Sequence, residues 1–227
     1  MKRLVLLGEG HGEVSGFPVL ARKLIHLKNA QDKLYVDKHV IRAHNPSGLI
    51  KWNKDRNLED ASEWIRFLRI AARTKDLGGV LALFDGDLRN FPAGKQAPFC
   101  AATAAIHMAK SAEQAGAGKV FSLAVVFACV EYETWLVAGA GKVATSGEQV
   151  LFPGIPFPGG DPESHGKGWI ERHHKSYRPT RDQKPLTELL DLKIVRERKL
   201  RSFTRLEHAF DQLLTAAESG VHVSTPG

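Results

Sequence analysis

Short apolar runs recur along this chain and are separated by longer amphipathic segments. Residues 4–7, 80–84 and 120–130 are apolar at nearly every position, which is typical of strands buried on both faces of a sheet. Residues 35–42 alternate only in part between apolar and polar side chains, as expected of an edge strand.

The amphipathic segments over residues 13–28, 58–75 and 97–115 predict helices, because apolar side chains recur there at helical spacing. Strands and helices therefore alternate, which predicts an α/β fold with a parallel sheet and helices on both faces. Ligand sites in such sheets lie outside the carboxyl ends of the strands, at the point where the strand order reverses.

Glycine and proline become frequent over residues 139–168, which predicts either an ordered loop or a short irregular insertion. A short helix is expected at 186–190 and a longer one at 202–217, and the residues from Gly220 onward are expected to be loose. We therefore predict an α/β domain and a loop and helical extension packed on it, over residues 1–138 and 139–227.

Carboxylates follow three of the predicted strands: Glu9, Asp85, Asp87, Glu131 and Glu133. Because parallel strands present their carboxyl ends at one edge, we expect a shared acidic pocket there, and Gly86 allows a close turn between its acidic neighbours. Hard divalent cations prefer carboxylate oxygens, so the pocket predicts a Mg²⁺ or Mn²⁺ site. Helix capping is the competing interpretation, and it applies most strongly to Glu131 and Glu133.

Basic residues concentrate in the C-terminal part, away from these acids. Lysine and arginine outnumber aspartate and glutamate by 7 (32 against 25), which allows a polyanionic partner such as nucleic acid. Candidate phosphate contacts are Lys175, Tyr177, Arg178 and Lys184. A solvated basic surface explains the same residues equally well.

Cys100 and Cys129 stand in alanine-rich or apolar surroundings without metal-binding spacing, so two buried thiols in a reducing cytoplasm are expected. No apolar run reaches the ~20 residues that a membrane-spanning helix needs, and the first run is too short for a signal peptide. We therefore expect a cytoplasmic protein without a membrane partner.

An apolar strand followed by Glu9-Gly10, and a later one followed by Asp85-Gly86-Asp87, resemble the Toprim fold. Toprim domains occur in topoisomerases, primases, recombination-repair proteins and OLD-family nucleases. The resemblance covers roughly residues 1–130 and implies a Toprim-like, Rossmann-like sheet. It also implies that the glutamate serves as a general acid or base and that the aspartates hold magnesium.

A narrower resemblance extends further along the chain. The segments 131–136 (Glu-Tyr-Glu-Thr-Trp-Leu) and 177–180 (Tyr-Arg-Pro-Thr) look like those of uncharacterised bacterial Toprim-like proteins related to OLD nucleases. Such proteins are often encoded beside an OLD-type or ABC-type ATPase and are linked by inference to phage defence. The resemblance implies a nuclease that acts with an ATPase in phage defence or DNA repair, with Glu131 and Glu133 as candidate ligands of a second metal.

Two other motifs fit less well. Gly8-x-Gly10-x-Gly12 resembles a dinucleotide fingerprint, but Glu13 stands where the third glycine belongs. A dehalogenase-type phosphatase also places Asp-x-Asp after a strand, but usually the first strand, with threonine or valine where Arg89 stands here. The remaining alternative is a catalytically inactive Toprim-like subunit that binds nucleic acid or an ATPase.

Overall fold

In the computed structural model of the protein, five parallel strands form one sheet, and helices cover both faces. The structure describes residues 1–43, 49–52, 58–86, 100–141, 151–159 and 166–227. The strands of this sheet are β1 (Lys2–Gly8), β2 (Leu34–Arg42), β5 (Leu77–Asp85), β6 (Leu123–Ala128) and β7 (Ser224–Thr225). A separate antiparallel pair consists of β3 (Lys51–Trp52) and β4 (Leu58–Asp60). The predicted α/β class is confirmed, with a Rossmann-like arrangement of sheet and helices.

The described helices are α1 (His11–Leu27), α2 (Ser62–Ala72), α3 (Ala101–Ser111), α4 (Glu133–Ala138), α5 (Gly166–His173), α6 (Pro179–Leu189), α7 (Leu192–Glu197) and α8 (Arg201–Ser219). Of these helices, α1 and α8 lie within two residues of the predicted bounds, α2 and α3 are shorter than predicted, and α4, α5 and α7 were not predicted. The predicted helix at 58–75 starts later, because its first residues form β4. α6 is longer than the short helix expected at 186–190, since Pro179 occupies a first-turn position that suits proline.

The strand order across the sheet is β2-β1-β5-β6-β7, and every neighbouring pair is parallel. The chain adds β2 on one side of β1 and β5 on the other side, so the order reverses between β1 and β5. Gly8 at the end of β1 lies in register with Leu83 of β5. In sheets of this kind a crevice forms at the reversal, outside the carboxyl ends of the strands.

Alternate residues of the central strands face opposite sides of the sheet, and both sides are buried. Leu4 and Leu6 of β1 pack in a cluster with α1 and α8, while Val5 and Leu7 pack in a second cluster with α2 and α3. Burial on both faces explains why β1, β5 and β6 are continuous apolar runs. Trp64 and Trp135, which we predicted to be core residues, are fully buried.

The C-terminal part joins the core rather than ending in a loose tail. Ser224 and Thr225 form β7 beside β6, and Thr225 is buried. The expectation of a loose segment from Gly220 is therefore wrong. The segment contains no apolar run that would have predicted a strand. It is held against β6 by backbone hydrogen bonds, such as that from Leu123 N to Val223 O (2.8 Å).

The two cysteines are less buried than expected. Cys100 is exposed and Cys129 is half-buried, so the expectation of two core thiols is wrong. Cys100 precedes α3, and a residue at a helix N-terminus often lies at the surface even when its neighbours are apolar. Among the described residues, no helix is both long and apolar enough to cross a membrane.

Candidate functional site

The ends of β1 and β5 bring two acidic residues of the predicted pocket, Glu9 and Asp85, to one edge of the sheet. Gly8 and Leu83 are register partners, so Glu9 stands one residue beyond that pair on β1 and Asp85 two residues beyond it on β5. Asp85 is itself in register with Ala128 at the end of β6. Glu9 and Asp85 therefore flank the reversal of strand order, which is where the sequence placed the site.

Two backbone contacts fix the position of Asp85. The amide of Tyr132 donates a hydrogen bond to Oδ1 of Asp85 (2.8 Å), and the amide of Gly86 donates to the carbonyl oxygen of Ala128 (2.7 Å). A Cβ atom on Gly86 would stand 2.9 Å from the Ala128 oxygen and 3.2 Å from Sγ of Cys129. Only glycine allows the chain leaving β5 to pass this close to the end of β6, as the predicted close turn required.

Glu9 is fixed from the other side of the reversal. Its Oε2 is shielded from solvent, and its carbonyl oxygen accepts a hydrogen bond from Nε of Arg42 (3.2 Å). The amide of Ala43 donates to the carbonyl oxygen of Gly8 (2.8 Å), so β2 supports the end of β1. Arg42 brings a positive charge beside the acidic edge, a feature that the sequence analysis did not identify.

Glu131 follows β6 and connects this edge with the C-terminal part. It is 9% exposed, and its Oε1 accepts a hydrogen bond from the amide of Lys167 (2.7 Å). Lys167 lies in the first turn of α5, so Glu131 caps that helix and satisfies one of its unpaired amides. Helix capping therefore accounts for one of the two carboxylate oxygens of Glu131.

Glu133 begins α4 and is almost fully buried, with 3% of its surface exposed. Its Oε1 accepts hydrogen bonds from the hydroxyl of Tyr177 (2.8 Å) and from Nε2 of Gln183 (3.1 Å). Tyr177 is also buried, so the hydroxyl predicted to contact phosphate is engaged inside the protein. Both partners of Glu133 belong to the C-terminal part, and they hold α6 against the end of β6.

The other candidate phosphate contacts lie at the surface around α5 and α6. Lys175, Arg178 and Lys184 are exposed, and Lys184 approaches Glu188 at 3.9 Å. Asp182, which sequence reasoning missed, is buried and accepts hydrogen bonds from the amide of Arg178 (2.7 Å) and from Nε of Arg181 (2.6 Å). The Arg181 guanidinium lowers the pKa of Asp182. No local pattern signals such a contact between adjacent residues.

The described acids do not form a complete metal centre. Among the residues that the structure describes, no three histidine, cysteine, aspartate or glutamate side chains are grouped closely enough to hold a metal ion. Asp87 lies outside the described residues. Glu9 and Asp85 still suit Mg²⁺ or Mn²⁺ chemically, because Mg²⁺ commonly takes only one or two protein carboxylates and keeps several waters.

Comparisons of the chain with protein-family models, with curated proteins and with solved structures found no significant match.

Proposed function

We propose that the protein is a metal-dependent phosphodiesterase that cuts nucleic acid, with Glu9 and Asp85 at its centre. The observation that carries this proposal is the placement of both acids at the carboxyl ends of adjacent parallel strands, on either side of the reversal of strand order. Sites in open α/β sheets occur at this position. The Toprim-like motif supports the same assignment, with Asp87 as a further ligand.

The chemistry of these acids fits Mg²⁺ or Mn²⁺ as the cofactor. A bound divalent cation would neutralise charge on a phosphodiester and activate water. The amide of Tyr132 orients Asp85 at the end of β5, where its carboxylate is our proposed metal ligand. Glu9, with one oxygen shielded from solvent, is the candidate to exchange a proton with the reacting group.

Nucleic acid as the substrate is supported by the basic segment beside this edge. Tyr177 donates a hydrogen bond to Glu133, which directly follows Tyr132, the residue whose amide binds Asp85. This contact holds the exposed Lys175 and Arg178, which flank Tyr177, near the ends of β5 and β6. Exposed lysine and arginine supply most contacts to phosphate oxygens. Cooperation with an OLD-type or ABC-type ATPase, in phage defence or DNA repair, is proposed from the resemblance alone.

The test is nicking of supercoiled plasmid with Mg²⁺ or Mn²⁺, comparing the wild type with Asp85→Asn. Asparagine keeps an acceptor oxygen for the Tyr132 amide but loses the negative charge, so the fold is retained while the metal site is weakened. We expect EDTA to abolish nicking and Asp85→Asn to lower it by about 100-fold or more, the scale of a lost electrostatic contact in a transition state.

A matched control is Asp32→Asn, which makes the same chemical change at an exposed position ahead of β2, at the opposite edge of the sheet. It should nick at the wild-type rate. Equal nicking by wild type and Asp85→Asn would overturn the assignment of the site. No nicking by the wild type, with or without an ATPase of the proposed class, would overturn the nuclease proposal.

The second candidate is a catalytically inactive subunit that binds nucleic acid or an ATPase. One observation favours it: Glu131 and Glu133, the candidate ligands of a second metal, each hold the C-terminal part through one carboxylate oxygen. Titration with Mn²⁺ separates the two candidates, because only the nuclease requires binding that is weakened by Asp85→Asn.

A further inference from the structure

A pocket of about 200 Å³ lies at the carboxyl end of β6, on the same edge of the sheet as Asp85 but lined by other residues. Ala101 at the start of α3 and Arg201 at the start of α8 line it, together with Cys129 from the end of β6. The volume exceeds the ~30 Å³ that one water occupies in the liquid, so the pocket has room for a polyatomic group.

Two arginines give this pocket a positive charge. Arg201 and Arg205 lie one turn apart on α8, line the pocket and are exposed. Neither forms an ion pair within the described part of the chain, whereas the nearby Arg196 is paired with Glu207. Two guanidinium groups beside one cavity, with no carboxylate among the described residues to neutralise them, favour an anionic ligand.

A buried serine also lines the pocket. Ser202 lines it and is only 3% exposed, and its Oγ accepts a hydrogen bond from Nε1 of Trp135 (3.0 Å). The indole nitrogen can only donate, so the serine proton points elsewhere, and it has no acceptor among the described residues. A buried hydroxyl with an unused proton costs free energy unless a ligand accepts it.

The first turns of α3 and α8 add to the positive charge at the pocket. Neither first turn contains an acidic residue, and Leu200, the N-cap residue of α8, provides no capping side-chain hydrogen bond. Helix N-termini carry a partial positive charge and unpaired amides. Hydrogen bonds from Thr103, with a smaller contribution from the charge of Arg205, lower the pKa of the Cys100 thiol.

We propose that this pocket binds a phosphate group, with Arg201 and Arg205 supplying charge and Ser202 a hydrogen bond. Because Ala128 of β6 is in register with Asp85 of β5, the pocket lies one strand away from Asp85. The phosphate belongs either to a nucleic acid backbone or to a small phosphorylated molecule. Binding requires no metal, so it is independent of the proposed nuclease activity.

The first arm of the test measures the melting temperature with inorganic phosphate in EDTA, against sodium chloride at the same ionic strength. Phosphate at ten times its dissociation constant should raise the melting temperature of the wild type by about 3 °C. The Arg201→Gln/Arg205→Gln variant should lose this rise. Arg73→Gln, an exposed arginine between α2 and the start of β5, should keep it.

An independent readout uses the wild type alone. Phosphate should slow alkylation of Cys100, measured by mass spectrometry on the peptide that contains it, because an anion bound at Arg205 opposes the lowering of the thiol pKa by that arginine. No slowing, or an equal rise of melting temperature in the double variant, would overturn the proposal.

The second arm distinguishes the source of the phosphate with a short DNA duplex in EDTA. If the backbone occupies the pocket, the slope of log Kd against log salt should fall by about 1 for each arginine removed. An unchanged slope together with binding of inorganic phosphate would assign the pocket to a small phosphorylated molecule.

Discussion

The hydroxyl of Tyr177 donates a hydrogen bond of 2.8 Å to Oε1 of Glu133, and both side chains are buried. This contact joins the helix that follows β6 to a segment 44 positions later in the chain. It assigns a structural role to two residues that the sequence offered as ligands of a metal and of a phosphate. The C-terminal part is thereby attached directly to the edge that carries Asp85.

Tyr177→Phe should destabilise the protein by about 1–3 kcal/mol, because a buried carboxylate loses a donor and keeps the Gln183 amide. Unfolding in urea measures this change. Tyr35→Phe is the matched control, since the Tyr35 hydroxyl accepts a bond from Arg3 where water can replace it. Equal losses of unfolding free energy in the two variants would contradict the buried role of Tyr177. If Tyr177→Phe instead weakened DNA binding at unchanged stability, the predicted phosphate contact of Tyr177 would be supported.

Gly86→Ala should destabilise the protein by about 1–3 kcal/mol, because its Cβ would overlap the carbonyl oxygen of Ala128. Plasmid nicking should fall as well, since relief of the overlap moves Asp85. Gly8→Ala at the end of the adjacent strand is the control, because its Cβ meets no atom closer than 3.6 Å. Urea unfolding of both variants tests the difference, and equal stability would contradict a close approach at Gly86.

Deletion of residues 221–227 should lower the free energy of unfolding by about 2 kcal/mol or more, because β7 and its hydrogen bonds are lost. The unpaired edge of β6 should also promote association, which light scattering detects. Val221→Ala changes an exposed side chain in the same segment and should have little effect. An unaltered urea midpoint after the deletion would show that β7 adds no stability.

The ion pair between Arg181 and Asp182 predicts a dependence of stability on pH. The pKa of Asp182 in the folded state lies below the ordinary value of 3.8, so the pair stabilises the protein above that pH. This contribution is lost as the pH falls through the lowered pKa. Asp182→Asn should therefore reduce stability at pH 7, and its difference from the wild type should shrink in acid.

Urea unfolding from pH 7 down to the acid range measures that difference. Arg181→Gln should show the same trend, and the double variant should be little worse than either single change, because both remove one interaction. A difference between Asp182→Asn and wild type that stays constant with pH would contradict the lowered pKa.

The sequence predicted the fold well where local pattern decides structure. β1, β5 and β6 are continuous apolar runs because both faces of the sheet are covered by helices. The alternation of strands and helices along the chain then leaves few possible topologies. β7 was missed because the strand has only two residues, and the alternation Val221-His222-Val223 before it is too short to predict a strand. Its position depends on backbone pairing with β6, which only the assembled sheet provides.

The candidate site was predictable only as far as the strand ends. Glu9 and Asp85 could be placed because parallel strands present their carboxyl ends at one edge. The partners of Glu133 could not, because Tyr177 and Gln183 are remote in sequence and reach it through the packing of α6. Exposure of Cys100 likewise depends on how α3 packs, and its alanine-rich surroundings gave no indication of it.

The remote pairing of β7 has a consequence during synthesis of the chain. Ser122, just before β6, and His222, just before β7, lie 100 positions apart and meet side by side in the folded protein. A ribosome adding about 5–20 residues per second needs about 5–20 s to cover that distance. For that time the nascent sheet has an open edge at β6, and the last residues to emerge are the ones that close it.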